Sequence, residues 1–188
     1  MNIIQPWKIE IGHVNVNGTP WDMTEFATEV FNLNLMTGGQ QETQVSLGSG
    51  LCPIILEMRD TLITPLVKEF ARNQLGYILR DGEFEVETNA KWIPKGEGLY
   101  PHQHSSSILS VIVYPQDSKS GLNFFDPRTN AGRGFPREIR DEHFARYAIS
   151  PKAGDVFIFP SYLQHSVSYV EEDIRLSLLH EYYPHSTR

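Results

Sequence analysis

The stretch "PKAGDVFIFPSYLQHSVSYVEEDIRLSLLHEYY", residues 151–183, decides the fold class. It holds three short segments, "DVFIFP", "HSVSYV" and "IRLSLLHEYY", rich in Val, Ile, Phe, Leu and Tyr. Turn formers such as Pro151, Gly154 and Asp155 punctuate them. β-Branched and aromatic residues pack well on a pleated surface, so segments of this length and spacing read as strands. The same texture runs back to residue 83 through "EFEVETNAKWI", "SILSVIVY", "GLNFFD" and "RYAIS". Many short strands in series predict a sandwich or a barrel.

Upstream the period changes. "IIQPWKIEIGHV" is short and mixed and predicts an early strand, whereas "GTPWDMTEFATEVFNLNLMTGG" places Trp21, Phe26, Val30, Phe31 and Leu33 near helical spacing. Gly38 and Gly39 are the expected stop. "QQETQVSLGSG" is polar and reads as a loop. "CPIILEMRDTLITPLVKEFARNQLG" reads as a second helical stretch, with Pro53 in its first turn and Gly76 at its C-terminal cap. Pro65 is expected to kink or divide it. The whole is an α+β, mainly β chain: one domain over 1–188, with helical support over 1–80 and a β body over 81–188.

Bulk properties narrow the function. The chain has 188 residues, 40% of them hydrophobic and 21% charged, which suits a domain with a real core. A net charge of −7 argues against a broad nucleic-acid footprint. The one cysteine, Cys52, excludes an internal disulfide framework and a Cys-rich zinc site, and reads as a small core residue. No apolar run reaches membrane-spanning length and the N-terminus lacks a signal-peptide layout, so a soluble cytoplasmic protein is expected.

Two of the seven histidines stand one residue apart, in "YPHQHSSSILSVIVYP", residues 100–115. On a strand, side chains two apart share a face, so His102 and His104 present two imidazoles to one point. Neutral nitrogen donors in that arrangement suit a first-row metal. Two polar residues at a strand mouth are the plainer alternative. His165, between an apolar strand and the alternating "SVSYV", is placed to project into a barrel mouth. In "DIRLSLLHEYY" Arg175 and Ser177 share one strand face and Leu176 and Leu178 the other. If the first face is interior, the guanidinium requires an anion, and a ligand carboxylate fits its fork. If it is exterior, the leucines form the core.

Together these pieces resemble the 2-oxoglutarate and Fe(II)-dependent oxygenases, specifically the small prolyl-4-hydroxylase-like group of bacteria and phages. The resemblance covers roughly residues 85–183. It implies a double-stranded β-helix (jelly-roll) barrel with two or more helices outside it. It gives His102 the first metal position, His165 the distal one, and Arg175 with Ser177 the clamp on the far carboxylate of 2-oxoglutarate. Tyr114 falls where related hydroxylases contact the same carboxylate, and "SGLNFFDPR" resembles the strand that follows. The implied metal set is His102, His104 and His165, with Fe(II) and the cosubstrate 2-oxoglutarate as cofactors. O2 and a small-molecule or peptide substrate complete the partners, peptidyl proline being the family-level one. The reaction would release succinate and CO2.

The departure is His104, which stands where the family carries Asp or Glu. Three neutral imidazoles leave Fe(II) at +2 instead of +1 and admit Zn or Ni. The other option is that His104 does not bind and a remote group completes the sphere, Asp117 and Asp126 being candidates for a remote role. Trp92, ten residues before His102, is either cavity lining or core. Two rivals stand beside the oxygenase. Gly96-x5-His102-x-His104 and Gly154-x5-Pro160 resemble a cupin, a dioxygenase or isomerase on three His, but Ser105 to Ser107 replace the glutamate expected there. A non-catalytic jelly-roll binding module is the second rival. The Arg-rich loop 126–144 is either a lid or a solvated charge run.

Overall fold

The structure is a computed structural model. It describes residues 9–36, 44–48, 51–104, 106–128, 132–143 and 146–185. The helix stop expected at Gly38 and Gly39 lies outside the described residues. Strand β1 (Gly12–Asn15) precedes helix α1 (Met23–Met36), and strand β2 (Gln44–Ser46) precedes helix α2 (Pro53–Met58). A π-helical turn, Arg59–Ile63, joins α2 to α3 (Thr64–Leu75). Strands β3 (Phe84–Pro94), β4 (Leu99–His102), β5 (Leu109–Val113) and β6 (Leu122–Phe125) follow. A short helix α4 (Arg137–His143) lies in the polar insertion. Strands β7 (Arg146–Ile149), β8 (Asp155–Pro160), β9 (His165–Val167) and β10 (Ile174–Pro184) close the chain.

All strand pairs are antiparallel, in two sheets ordered β1-β8-β5-β10-β3-β2 and β4-β9-β6-β7. The sheets face one another as the walls of a jelly roll. Helices α1 to α3 lie on the outer face of the six-stranded sheet. Phe26 and Val30 of α1, Ile55 and Met58 of α2, and Val67 and Ala71 of α3 form one buried cluster with Trp92, Val111, Ile158, Leu176, Leu178 and Tyr182 of that sheet. A second cluster fills the space between the sheets: Ile112, Tyr114, Leu122, Phe124, Phe157, Phe159, Leu163 and Leu179. Trp92 therefore belongs to the helix-side core and does not line the cavity.

Local signals account for most elements. Asp22 accepts the Thr24 backbone N–H at 2.8 Å and caps α1. Gly76 ends α3 at φ 65°, a left-handed value that glycine adopts without a Cβ clash. Pro65 divides the helix less than expected. The π turn before it carries the chain through, with the Thr64 N–H bonded to the Arg59 carbonyl, so α2 and α3 run on as one helical stretch. Two expectations are corrected. The segment read as a loop over 40–50 contains β2, which pairs with β3 as an edge strand. Cys52 is only half-buried. It starts α2 at φ 48° and directs its thiol to Glu29, and burial pushes that thiol up to about 11. Among the described residues no helix is long and apolar enough to cross a membrane.

Candidate metal centre and anion clamp

His102 ends β4 and is paired across the sheet with His165, which opens β9. Their ring centroids are 4.4 Å apart. His104 lies two residues past the strand end, so the shared strand face expected for the pair is only half of the explanation. A backbone bond from the His104 N–H to the Ser161 carbonyl, 2.9 Å, turns the chain back and brings its ring in. That ring stacks on His165 at 5.1 Å and 5°, and the two Nε2 atoms are 3.3 Å apart. One ligand atom from each of the three histidines lies within 4.8 Å of the others.

Each imidazole is anchored through its Nδ1. His102 donates to the Tyr100 carbonyl at 2.8 Å and His165 to the Leu163 carbonyl at 3.0 Å. His104 Nδ1 meets the Glu181 carboxylate at 2.7 Å. A proton held on Nδ1 leaves the lone pair on Nε2, the tautomer that a metal requires, and such outer partners accompany most metal-bound histidines. Burial, then the neighbouring rings, drops His165 to about 3, and burial also lowers His102. Both are neutral near pH 7 with lone pairs free. Three imidazole nitrogens converging on one point fit a first-row divalent ion such as Fe(II).

Glu181 was not singled out from the sequence. It shares the β10 face of Arg175 and Ser177, four residues beyond the latter, so extending the alternation by two steps would have found it. Burial raises its carboxyl, but hydrogen bonds from His104 and Ser107 outweigh that and hold it below the usual range. Lys91 of β3, cross-strand from Ser177, lines the same cavity, and burial lowers its ammonium.

Arg175 is 2% exposed and Ser177 is 7% exposed. Both line the cavity that holds the three histidines, with Tyr114 beside them. The leucines of the opposite row are equally buried under the helices. The choice between a buried arginine and buried leucines was therefore a false one. Nor is Arg175 without partners. Its Nε donates to Ser118 Oγ at 3.2 Å, a terminal nitrogen donates to the Tyr114 hydroxyl, and the guanidinium carbon sits 4.9 Å from the Tyr114 ring centre. The Ser118 hydroxyl donates in turn to Glu172 at 2.5 Å, and the Ser120 hydroxyl donates to the second oxygen of that carboxylate at 3.0 Å. Burial raises the Tyr114 hydroxyl pKa against the pull of Arg175, so the phenol stays protonated. Asp117 and Asp126 take no part here. Asp117 caps the Ala153 N–H and Asp126 binds Arg128.

Comparison with known proteins agrees with the fold. Residues 90–180 match the family described as putative 2OG-Fe(II) oxygenase. HygX from Streptomyces hygroscopicus, solved with nickel and 2-oxoglutarate, aligns over 95% of this chain and 84% of its own at TM-score 0.66 and 15% identity. A Pseudomonas putida prolyl-4-hydroxylase aligns over 95% and 94% at TM-score 0.66 and 15% identity. The carbocyclase SnoK of nogalamycin biosynthesis aligns over 94% and 80% at TM-score 0.64 and 15% identity. No curated protein matches in sequence.

Proposed function

Because the chain belongs, over the 90–180 span that carries this site, to the 2-oxoglutarate and Fe(II)-dependent oxygenases, we propose that it oxidises a C–H bond of its substrate while converting 2-oxoglutarate to succinate and CO2. The observation that carries the reading is the sharing of one cavity by the histidine cluster and Arg175. A metal-only jelly roll such as a cupin has no use for a buried guanidinium at the far end of its pocket.

His102, His104 and His165 would hold the iron. Bound there, the metal supplies dioxygen activation coupled to decarboxylation of the 2-oxo acid. The chain's own residues do the rest. Arg175, Ser177 and the Tyr114 hydroxyl take the distal carboxylate, with Glu172 and Ser118 fixing the guanidinium behind it. The apolar walls, Ile93, Leu99, Ile112, Leu122 and Leu179, exclude water from the reacting end. The free space is about 30 Å³, so a five-carbon ligand requires a side chain to yield. Lys91, with its long flexible stem, does so at least cost.

The whole chain reads as one oxygenase domain, with α1 to α3 as outside support. Peptidyl proline is the first substrate class to try, given the resemblance and the Pseudomonas hydroxylase fold. The fold shared with the carbocyclase SnoK from nogalamycin biosynthesis supports testing small metabolites beside it. The test is succinate release from 2-oxoglutarate with added Fe(II), in the presence of proline-containing peptides. His165→Ala and Arg175→Ala are expected to abolish it. Unchanged turnover in Arg175→Ala sinks the assignment, and no Fe(II) uptake at all returns the protein to the binding-module class.

A further inference from the structure

We propose that Glu181 is the carboxylate of this metal centre, moved one bond outward: it positions His104 as the third ligand in place of the Asp or Glu that the family carries there. The proposal rests on the reading that the three histidines hold a metal.

The carboxylate and the imidazole are both nearly enclosed, with side chains 10% and 14% exposed and Oε1 2.7 Å from Nδ1. The contact is held from two sides. β10 fixes Glu181 by pairing it with Ser110 of β5 and Glu87 of β3. The Ser107 hydroxyl lies 3.2 Å from the same Oε1 and 2.8 Å from the Ser161 hydroxyl, which lies 2.8 Å from that of Ser110. Ser161 also supplies the carbonyl that turns His104 inward. Ser107 and Ser110 thus belong to the centre: with Ser161 they build the cradle of the carboxylate that sets His104.

The chemical consequence is specific. A carboxylate accepting from Nδ1–H pins the ring with Nε2 toward the cluster and raises its basicity. The negative charge that a bound carboxylate would share with the metal is kept in the site, reaching the metal through the imidazole. His104 is then a ligand by construction, and the Lys91 ammonium lies within electrostatic reach of Glu181.

Co(II) is the probe, since it reports both affinity and, through its visible absorption, ligand geometry. Glu181→Gln is expected to weaken Co(II) binding by about 10- to 100-fold and to alter the visible band, with far-UV dichroism unchanged. In a His104→Ala background the same substitution is expected to change Co(II) affinity no further. Ser107→Ala, which removes one bond to Glu181 without removing a charge, keeps the test open if Glu181→Gln folds poorly, and is expected to give a smaller loss in the same direction. Loss in neither variant, or an equal loss from Glu181→Gln with and without His104, overturns the proposal. Wild-type protein that takes up no Co(II) or Fe(II) overturns the oxygenase reading itself. Wild-type uptake with unaltered Glu181→Gln and Ser107→Ala overturns only the role of Glu181.

Discussion

Arg175 donates a guanidinium N–H to the Tyr114 hydroxyl, both side chains buried, with the guanidinium carbon 4.9 Å from the phenol ring centre. One aromatic residue therefore holds the cation by its edge oxygen and by its face. Tyr114→Phe keeps the ring and deletes the oxygen. A hydrogen bond to a buried charged group contributes about 1.5–3 kcal/mol, so the denaturation midpoint is expected to fall by a corresponding amount. 2-Oxoglutarate titrated against Co(II)-loaded protein should bind several-fold more weakly. An unchanged midpoint would show that the hydroxyl stabilises nothing.

A metal ion should stabilise the fold measurably. The His104 and His165 Nε2 atoms face each other at 3.3 Å. A ligand at 100 times its dissociation constant adds about 2.7 kcal/mol, which corresponds to roughly 5–10 °C in a domain of this size. Thermal melts with Co(II) and with chelator should separate by that amount. His165→Ala should erase the separation.

Gly98 positions the centre without touching it. A Cβ at Gly98 would lie 2.8 Å from the Val167 carbonyl oxygen, a backbone atom that cannot rotate away. Gly98→Ala is expected to push β4 off β9 and to carry His102 away from His165, its cross-strand partner. Metal affinity should drop on the order of ten-fold while the helix-side core, probed by Trp92 fluorescence, stays native. Retention of full Co(II) affinity would show that β4 has more freedom than its pairing implies.

His180, together with His165, supplies the pH dependence of stability. It is fully buried on the helix side of β10, its Nδ1 bonded to Thr88 Oγ1 at 3.0 Å. Burial, then the Arg59 charge, drops it to about 3, against about 6.5 in the unfolded chain. Between those values the unfolded state binds a proton that the folded state refuses. Its contribution is thus complete above about pH 6.5 and is lost as the pH falls toward 3, at about 1.4 kcal/mol per pH unit. Asp155 and Glu172, both held low, act only in the acid part of this window. Denaturant titrations between pH 4.5 and 6.5 should show the combined slope of His180 and His165, and His180→Leu should make it shallower by about 1.4 kcal/mol per pH unit, leaving the share of His165. An equal slope in that variant would assign it elsewhere.

The strands were legible because their apolar runs are short and bounded by turn residues, as "DVFIFP" between Gly154 and Ser161 shows. The edge strand β2 was harder. β2 has three residues and one of its two neighbours is solvent, so Gln44 and Ser46 carry no apolar pattern to detect. At the site, the spacing of His165, Arg175 and Ser177 was visible, but the geometry of His104 was not, since it depends on a backbone bond to Ser161, 57 residues away. The facing of β10 was undecidable from alternation alone. Helices cover one side and a cavity lies on the other, so polar and apolar rows are both buried. Glu181 was missed because it lies beyond the Arg-x-Ser pair at which the comparison of motifs stops.

Strand β10 behaves as a ruler. Arg175, Ser177, Leu179 and Glu181 stand on one face at steps of about 6.6 Å, so a single extended segment fixes the distance from the anion end of the pocket to the histidine cluster. In most sheets a slip of one residue is resisted because it exposes apolar side chains. Here it would expose nothing and would exchange Arg175 for Leu176 and Glu181 for Tyr182. The register is guarded instead by charge pairing: the guanidinium finds Tyr114 and Ser118, and the carboxylate finds His104, in one alignment of the strand.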